Sequence, residues 1–133
     1  MALLLTSGSG VALAAVIIGT PADDRLVGTT GADRIVGLAG GDQIYTKGGN
    51  DTVSGGSGLD TLVDGRPGPP TSSPGHLTMD GGPGDDRFWN LGSEERRPGD
   101  TATLRGGPGA DFFVFAATQG NDVISRVPVT ITH

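Results

Sequence analysis

No cysteine occurs in the 133 residues, which excludes disulfides and thiolate metal sites as the means of holding the chain together. Lys47 is the only lysine and the net charge is −6, so the clustered cations that phosphate neutralisation requires are missing and nucleic acid is not an expected partner. Aromatic residues are scarce, at four Phe, one Trp and one Tyr, and only 35% of the chain is hydrophobic, which argues against a large conventional core. Long apolar runs are also lacking. The charge-free opening, MALLLTSGSGVALAAVIIGT, is interrupted by TSGSG and too short to span a membrane. It lacks a basic start but holds Ala12-Leu13-Ala14 as a small-residue cleavage motif, so residues 1–18 read either as a signal or its remnant, or as an apolar cap on the domain.

Glycine and aspartate are what the chain has in abundance. Its 25 Gly and 9 Pro would mark an aperiodic sequence as disordered, so periodicity decides its class. The acidic residues are 13 Asp against 2 Glu. Asp favours tight turns and tolerates unusual backbone angles, so this bias points to carboxylates fixed on turns.

A nine-residue frame runs without a gap through 19–27, 28–36, 37–45, 46–54 and 55–63, and returns at 81–89, 106–114 and 117–125. Its sixth slot holds Asp24, Asp33, Asp42, Asp51, Asp60, Asp86, Asp111 and Asp122, and its eighth is always apolar. Slot four is Gly in all but the first copy, where Ala22 stands; Thr46 and Ala117 replace Gly in slot one of theirs. Two weaker copies fit at 72–80 (SSPGHLTMD) and 97–105 (RPGDTATLR), with Leu77 and Ala102 in the Asp slot. That leaves 64–71 and 90–96 as surface excursions and 126–133 as a C-terminal tail.

Six turn-forming positions followed by three with strand character define each copy. One inward apolar side chain between two outward ones is period-2 strand behaviour, and strands this short must stack on their equivalents. Stacking sets Asp above Asp, where like charges at ~4–5 Å repel strongly. A divalent cation between turns removes that repulsion. With oxygen donors and neither His nor Cys in the frame, Ca²⁺ suits the turns better than Mg²⁺, which demands stricter octahedral geometry.

GGPGDDRFW, GGPGADFFV and GLAGGDQIY resemble the nonapeptide of the repeats-in-toxin, or hemolysin-type calcium-binding, family, the repeat already known as a Ca²⁺-binding β-helix signature. The resemblance covers residues 19–125 and implies an all-β fold, a parallel β-roll with two short-stranded sheets. It further implies calcium ions between copy n and copy n+2. The ligands it implies are the eight slot-six aspartates, together with the turn glycines Gly28, Gly31, Gly37, Gly40, Gly49, Gly55, Gly58, Gly81, Gly84, Gly106 and Gly109. Odd copies would carry an unbroken ladder, Asp24, Asp42, Asp60, Asp86 and Asp111, with about four sites. Even copies would carry one site, Asp33/Asp51, and lose the metal at Leu77 and Ala102.

Slot nine of the odd copies holds Val27, Tyr45, Val63, Trp89 and Val114. If outward, these form an apolar stripe for a protein or glycan partner, unless a loop or the N-terminal segment covers it. Thr52, Thr78 and Thr103 recur in slot seven of the even copies, where strand propensity explains them. No HExxH, nucleophile elbow or P-loop is present, so no enzyme is expected. Asp23/Asp24 and Asp85/Asp86 read as one ligand and one solvated neighbour each. The expectation is a secreted, extracellular calcium-binding repeat protein that folds on binding Ca²⁺. An adhesion module, or a detached repeat segment of a larger exported enzyme, is the alternative.

Overall fold

In a computed structural model, residues 2–6, 14–47, 49–64, 76–90, 101–115 and 129–132 are described. All the regular structure among them is strand. In chain order the strands are β1 Ala2–Thr6, β2 Ala14–Ile18, β3 Arg25–Val27, β4 Arg34–Ala39, β5 Gln43–Tyr45 and β6 Thr52–Ser57. They continue as β7 Thr61–Asp64, β8 His76–Asp80, β9 Arg87–Asn90, β10 Thr101–Arg105, β11 Phe112–Phe115 and β12 Val129–Thr132. The strands of the odd copies form a five-stranded sheet, β11-β9-β7-β5-β3. The six even strands, with β1 at one edge, form a seven-stranded sheet, β1-β2-β4-β6-β8-β10-β12. Every pairing is parallel except β1 with β2. This is the parallel β-roll.

Register follows the nine-residue frame. Leu26 lies beside Ile44, Ile44 beside Leu62 and Leu62 beside Phe88, each from slot eight. On the other sheet Ile35 pairs with Val53, and Val53 with Met79. All of these residues lie within the buried core. Each turn of the roll thus adds one apolar residue per sheet, and a narrow core of aliphatics needs few aromatics. Phe88 stacks on Phe113 at 4.6 Å between ring centroids, filling the end where two Phe succeed the aliphatic column.

The two weak copies are real strands. β8 pairs with β6 and β10 with β8, placing Leu77 and Ala102 in the Asp column, where both are buried. The connections 65–75 and 91–100 lie outside the described residues.

At the two ends the structure departs from the frame. Ala14–Ile18, read as part of an apolar segment outside the repeats, forms β2, and Ile17 pairs with Ile35 in the core. β2 therefore occupies slots five to nine of a further copy. Its Asp slot holds Ala15, which hid it from a search keyed on aspartate. At the far end β12 lies in the segment read as a tail and pairs with β10 through Ala102↔Val129 and Leu104↔Ile131. ATQGNDVIS therefore does not supply the strand after β10, and Asp122 lies outside the described residues. In register, Val129 follows Leu77 and Ala102 at the Asp position of this edge. Among the described residues no helix is long and apolar enough to cross a membrane.

Inward slot eight and outward slot seven carry different energetic weight. Phe88→Ala is expected to destabilise the roll by about 3–5 kcal/mol, while Phe112→Ala, at an exposed position, should change it by only about 0.5 kcal/mol. Urea unfolding of the two variants checks this contrast.

Candidate metal centre

Turns stack as tightly as strands do. In most copies slots two and four adopt positive φ: Gly56, Gly82 and Gly107 in slot two, and Gly40, Gly49, Gly58, Gly84 and Gly109 in slot four. Leu38 (φ 89°) and Lys47 (φ 72°) take the same conformation in slot two, at the strain expected of side-chain-bearing residues. Consecutive turns approach so closely that a Cβ on Gly58 would strike the Gly40 carbonyl, and one on Gly84 the Gly58 carbonyl. Main-chain bonds tie the layers, as where Gly58 N–H donates to the Pro83 carbonyl (3.0 Å) and Gly84 N–H to that of Pro108 (2.9 Å).

Into each turn the following strand projects its Asp. Along the odd edge the N–H of Asp24 donates to Asp42 Oδ1 (2.9 Å), that of Asp42 to Asp60 Oδ1 (2.9 Å) and that of Asp60 to Asp86 Oδ1 (2.9 Å). Asp86 N–H donates in turn to Asp111 Oδ1 (3.1 Å). One oxygen of each carboxylate is thereby fixed by the main chain of the preceding coil. The second oxygen, Oδ2, of Asp42, Asp60 and Asp86 is buried and receives no hydrogen bond. Each faces its own copy's slot-one glycine: a Cβ on Gly37, Gly55, Gly81 or Gly106 would land on the Oδ2 of Asp42, Asp60, Asp86 or Asp111. Beside the same points lie the carbonyls of Gly55, Gly81 and Gly106 from the adjoining coils. Glycine in slot one thus leaves a cradle lined by carboxylate and carbonyl oxygens.

Burial acts on this row directly. It raises the carboxyls of Asp42 and Asp60 above their usual range, and that of Asp86 to about 6, against the opposing pull of the N–H bond each accepts. Neighbouring carboxylates of the row push in the same direction as burial. Asp24 is shifted the other way, downward, chiefly because the Thr20 N–H donates to it.

The even edge brings Asp33 and Asp51 together, with Asp33 N–H donating to Asp51 Oδ1 (3.0 Å). Here the carboxylate of Asp33 is already occupied. Its Oδ1 accepts from Ala15 N–H (2.8 Å) and the Thr29 hydroxyl (2.8 Å), and its Oδ2 from Thr29 N–H. Leu77 and Ala102, both buried, take the Asp position in the next two coils of this edge.

Two groups escaped the sequence reading. Thr20 and Thr29, in slot two of the first two copies, bond the Asp four residues on; the repeated Gly-Thr opening of those copies was the available signal. Slot five carries a second brace: Asp23 accepts from Gly41 N–H, Asn50 from His76 N–H and Asp85 from Ala110 N–H. Asp23 and Asp85 are therefore ties between coils as well as surface charges. The slot-nine stripe is broken, since Val63 is buried while Trp89 is exposed, and Arg25 covers the Tyr45 ring at 4.9 Å.

Among the described residues no three acidic or imidazole side chains converge, as a side-chain-only cage would require. The gaps of the odd edge offer instead two Asp carboxylates and main-chain carbonyls, a donor set suited to a hard cation. Residues 18–53 and 27–62 match the model of the RTX calcium-binding nonapeptide repeat, which spans four copies. Over residues 18–62 the chain is similar to RTX calcium-binding repeats. No curated protein and no solved structure matches it. The RTX frame of residues 18–62 continues structurally through β8, β9, β10 and β11 in unbroken register.

The raised carboxyls set a pH dependence for the cation-free RTX roll. Asp86 binds its proton more tightly folded, at about 6, than at the ordinary value of 3.8, so protonation stabilises the fold. That contribution is complete below pH about 4 and is lost as pH rises through about 6; Asp42 and Asp60 act in the same sense, and Asp24 in the opposite one. Metal-stripped protein should therefore show more β-structure by far-UV circular dichroism near pH 4.5 than near pH 8. A signal that grows with pH would contradict this.

Proposed function

We propose that this protein is a secreted, non-catalytic calcium-binding module whose roll orders as Ca²⁺ fills the gaps of the odd edge. The observation that carries the reading is the row of buried carboxylate oxygens on Asp42, Asp60 and Asp86 that lack a donor inside a Gly-lined cradle. Buried charge without a partner opposes folding by several kcal/mol per group. A chain with this little apolar surface has no comparable gain to offset it. Three gaps, Asp42/Asp60, Asp60/Asp86 and Asp86/Asp111, are the sites assigned here, and Asp24/Asp42 is weaker because Thr20 already holds Asp24. Asp33/Asp51 is a weaker fifth, because Thr29 competes for Asp33.

Bound there, Ca²⁺ supplies charge neutralisation and no reaction step. The chain positions the oxygens: slot-one glycines keep the cradle open, positive-φ residues turn the carbonyls, and the preceding coil's N–H orients each Asp. Sites of this oxygen-only kind in extracellular modules bind at ~10⁻⁴–10⁻³ M, so millimolar Ca²⁺ outside the cell would fill them and the cell interior would not. Secretion and calcium-coupled ordering belong to the same reading.

Titration of metal-free protein with Ca²⁺ should produce a β-type circular dichroism signal, and Mg²⁺ at the same concentration should not. Asp60→Asn removes a charge from two adjoining gaps and should raise the calcium midpoint about tenfold or more. Asp80→Asn should leave it unchanged, since Asp80 makes only a surface ion pair with Arg105 (3.6 Å). No gain of structure with Ca²⁺, or an equal gain with Mg²⁺, would refute the reading.

A further inference from the structure

Among the described turns, the earliest on each edge is built differently from those that follow it. Among the described copies, slot two has positive φ in Leu38, Lys47, Gly56, Gly82 and Gly107, but not in Thr20 or Thr29. Slot four likewise has positive φ from Gly40 onward, but not in Ala22 or Gly31. A β-branched residue is strongly disfavoured at positive φ, so Thr20 and Thr29 specify the alternative turn. In that turn the main chain and hydroxyl of each Thr reach the Asp four residues on. Thr20 donates both N–H and Oγ1–H to Asp24 Oδ2, the latter at 2.9 Å. Thr29 N–H bonds Asp33 Oδ2, and the Thr29 hydroxyl reaches Asp33 Oδ1 at 2.8 Å, the oxygen that also takes the Ala15 N–H. The protein itself thus bonds the carboxylates of Asp24 and Asp33, in contrast with the Oδ2 atoms of Asp42, Asp60 and Asp86.

We propose that Thr20 and Thr29 close the first turn of each edge in place of a metal ion, so that residues 14–36 hold their fold without calcium and template the coils that need it. The inference deepens the calcium reading above, but concerns the part of the roll that the metal does not control. Three further contacts lie wholly within this segment: Gly19 N–H donates to the Val36 carbonyl (2.8 Å), β2 pairs with β4, and Ile17 and Ile35 are buried where those strands pair. The antiparallel β1–β2 pair extends the same sheet. Calcium-dependent growth would then run from this end toward the coils of β9 and β11, each new turn finding its lower neighbour in place.

Amide hydrogen exchange of the full chain, read by mass spectrometry in chelator and in millimolar Ca²⁺, tests this. In chelator, residues 14–36 should be protected at least tenfold more than 76–90 and 101–115, and calcium should raise the latter. Thr20→Val with Thr29→Val should abolish the chelator-state protection of 14–36, by about tenfold per hydroxyl lost. Thr20→Ser with Thr29→Ser should retain it, whether or not the valine pair recovers its fold in calcium. The proposal is overturned if 14–36 exchanges as fast as 76–115 in chelator, if the valine pair matches the parent, or if the serine pair fails like the valine pair. Failure of calcium to protect 76–115 while 14–36 stays protected would instead refute the calcium reading and leave the caps standing.

Discussion

The odd edge of this roll depends on a carboxylate in every turn, set directly against the same group one coil away. The main chain holds one oxygen of each, through the N–H of the preceding Asp, and that contact keeps the coils in nine-residue register. The price is a second oxygen turned into a closed cradle with nothing to bond. In water this would cost nothing; inside a stack of turns it is an electrostatic load that grows with every coil added. The raised carboxyls of Asp42, Asp60 and Asp86 are that load expressed as proton affinity.

Glycine follows from the same constraint. Slot-one glycines keep the space beside Oδ2 open, while those in slots two and four permit positive φ and the approach of carbonyls from the next coil. Leu38 and Lys47 show that slot two tolerates a side chain when it points to solvent, whereas a Cβ at Gly58 would meet backbone. Thr46 shows the opposite case in slot one: it is buried, on the edge where the carboxylate ladder stops after Asp51. The edges thus differ in chemistry although their strands are equivalent. One presents carboxylates through five coils; the other passes from Asp33 and Asp51 to Leu77 and Ala102 and becomes an apolar wall.

Much of this was legible from residue spacing. The period, the inward slot-eight residues and the division of aspartates between two edges all follow from a nine-residue frame laid on a two-copy coil. The weak copies at 72–80 and 97–105 were readable because Met79 and Leu104 kept slot eight apolar when slot six did not hold Asp. The terminal strands were not, because their registers carry no Asp signal. Ala15 and Val129 stand where aspartate would be, and only pairing with Arg34–Val36 and Thr101–Arg105 reveals them as repeat positions. Asp122 has the motif but lies outside the described residues, and the strand beside β10 is β12.

By itself the sequence determined the periodic elements: a short strand every nine residues, a glycine-rich turn before it, and an acid where the turn ends. Local preference suffices for these, since φ, side-chain period and turn chemistry are properties of a few adjacent residues. Tertiary structure alone decided which oxygens are left over. The slot-five residues Asp23, Asn50 and Asp85 tie neighbouring coils because stacking brings main-chain donors 18 to 26 positions away within reach, while Thr20 and Thr29 reach Asp24 and Asp33 across only four residues. The aspartates of one motif therefore divide into those the protein completes and those it leaves for a cation, a distinction that exists only once the coils are in contact.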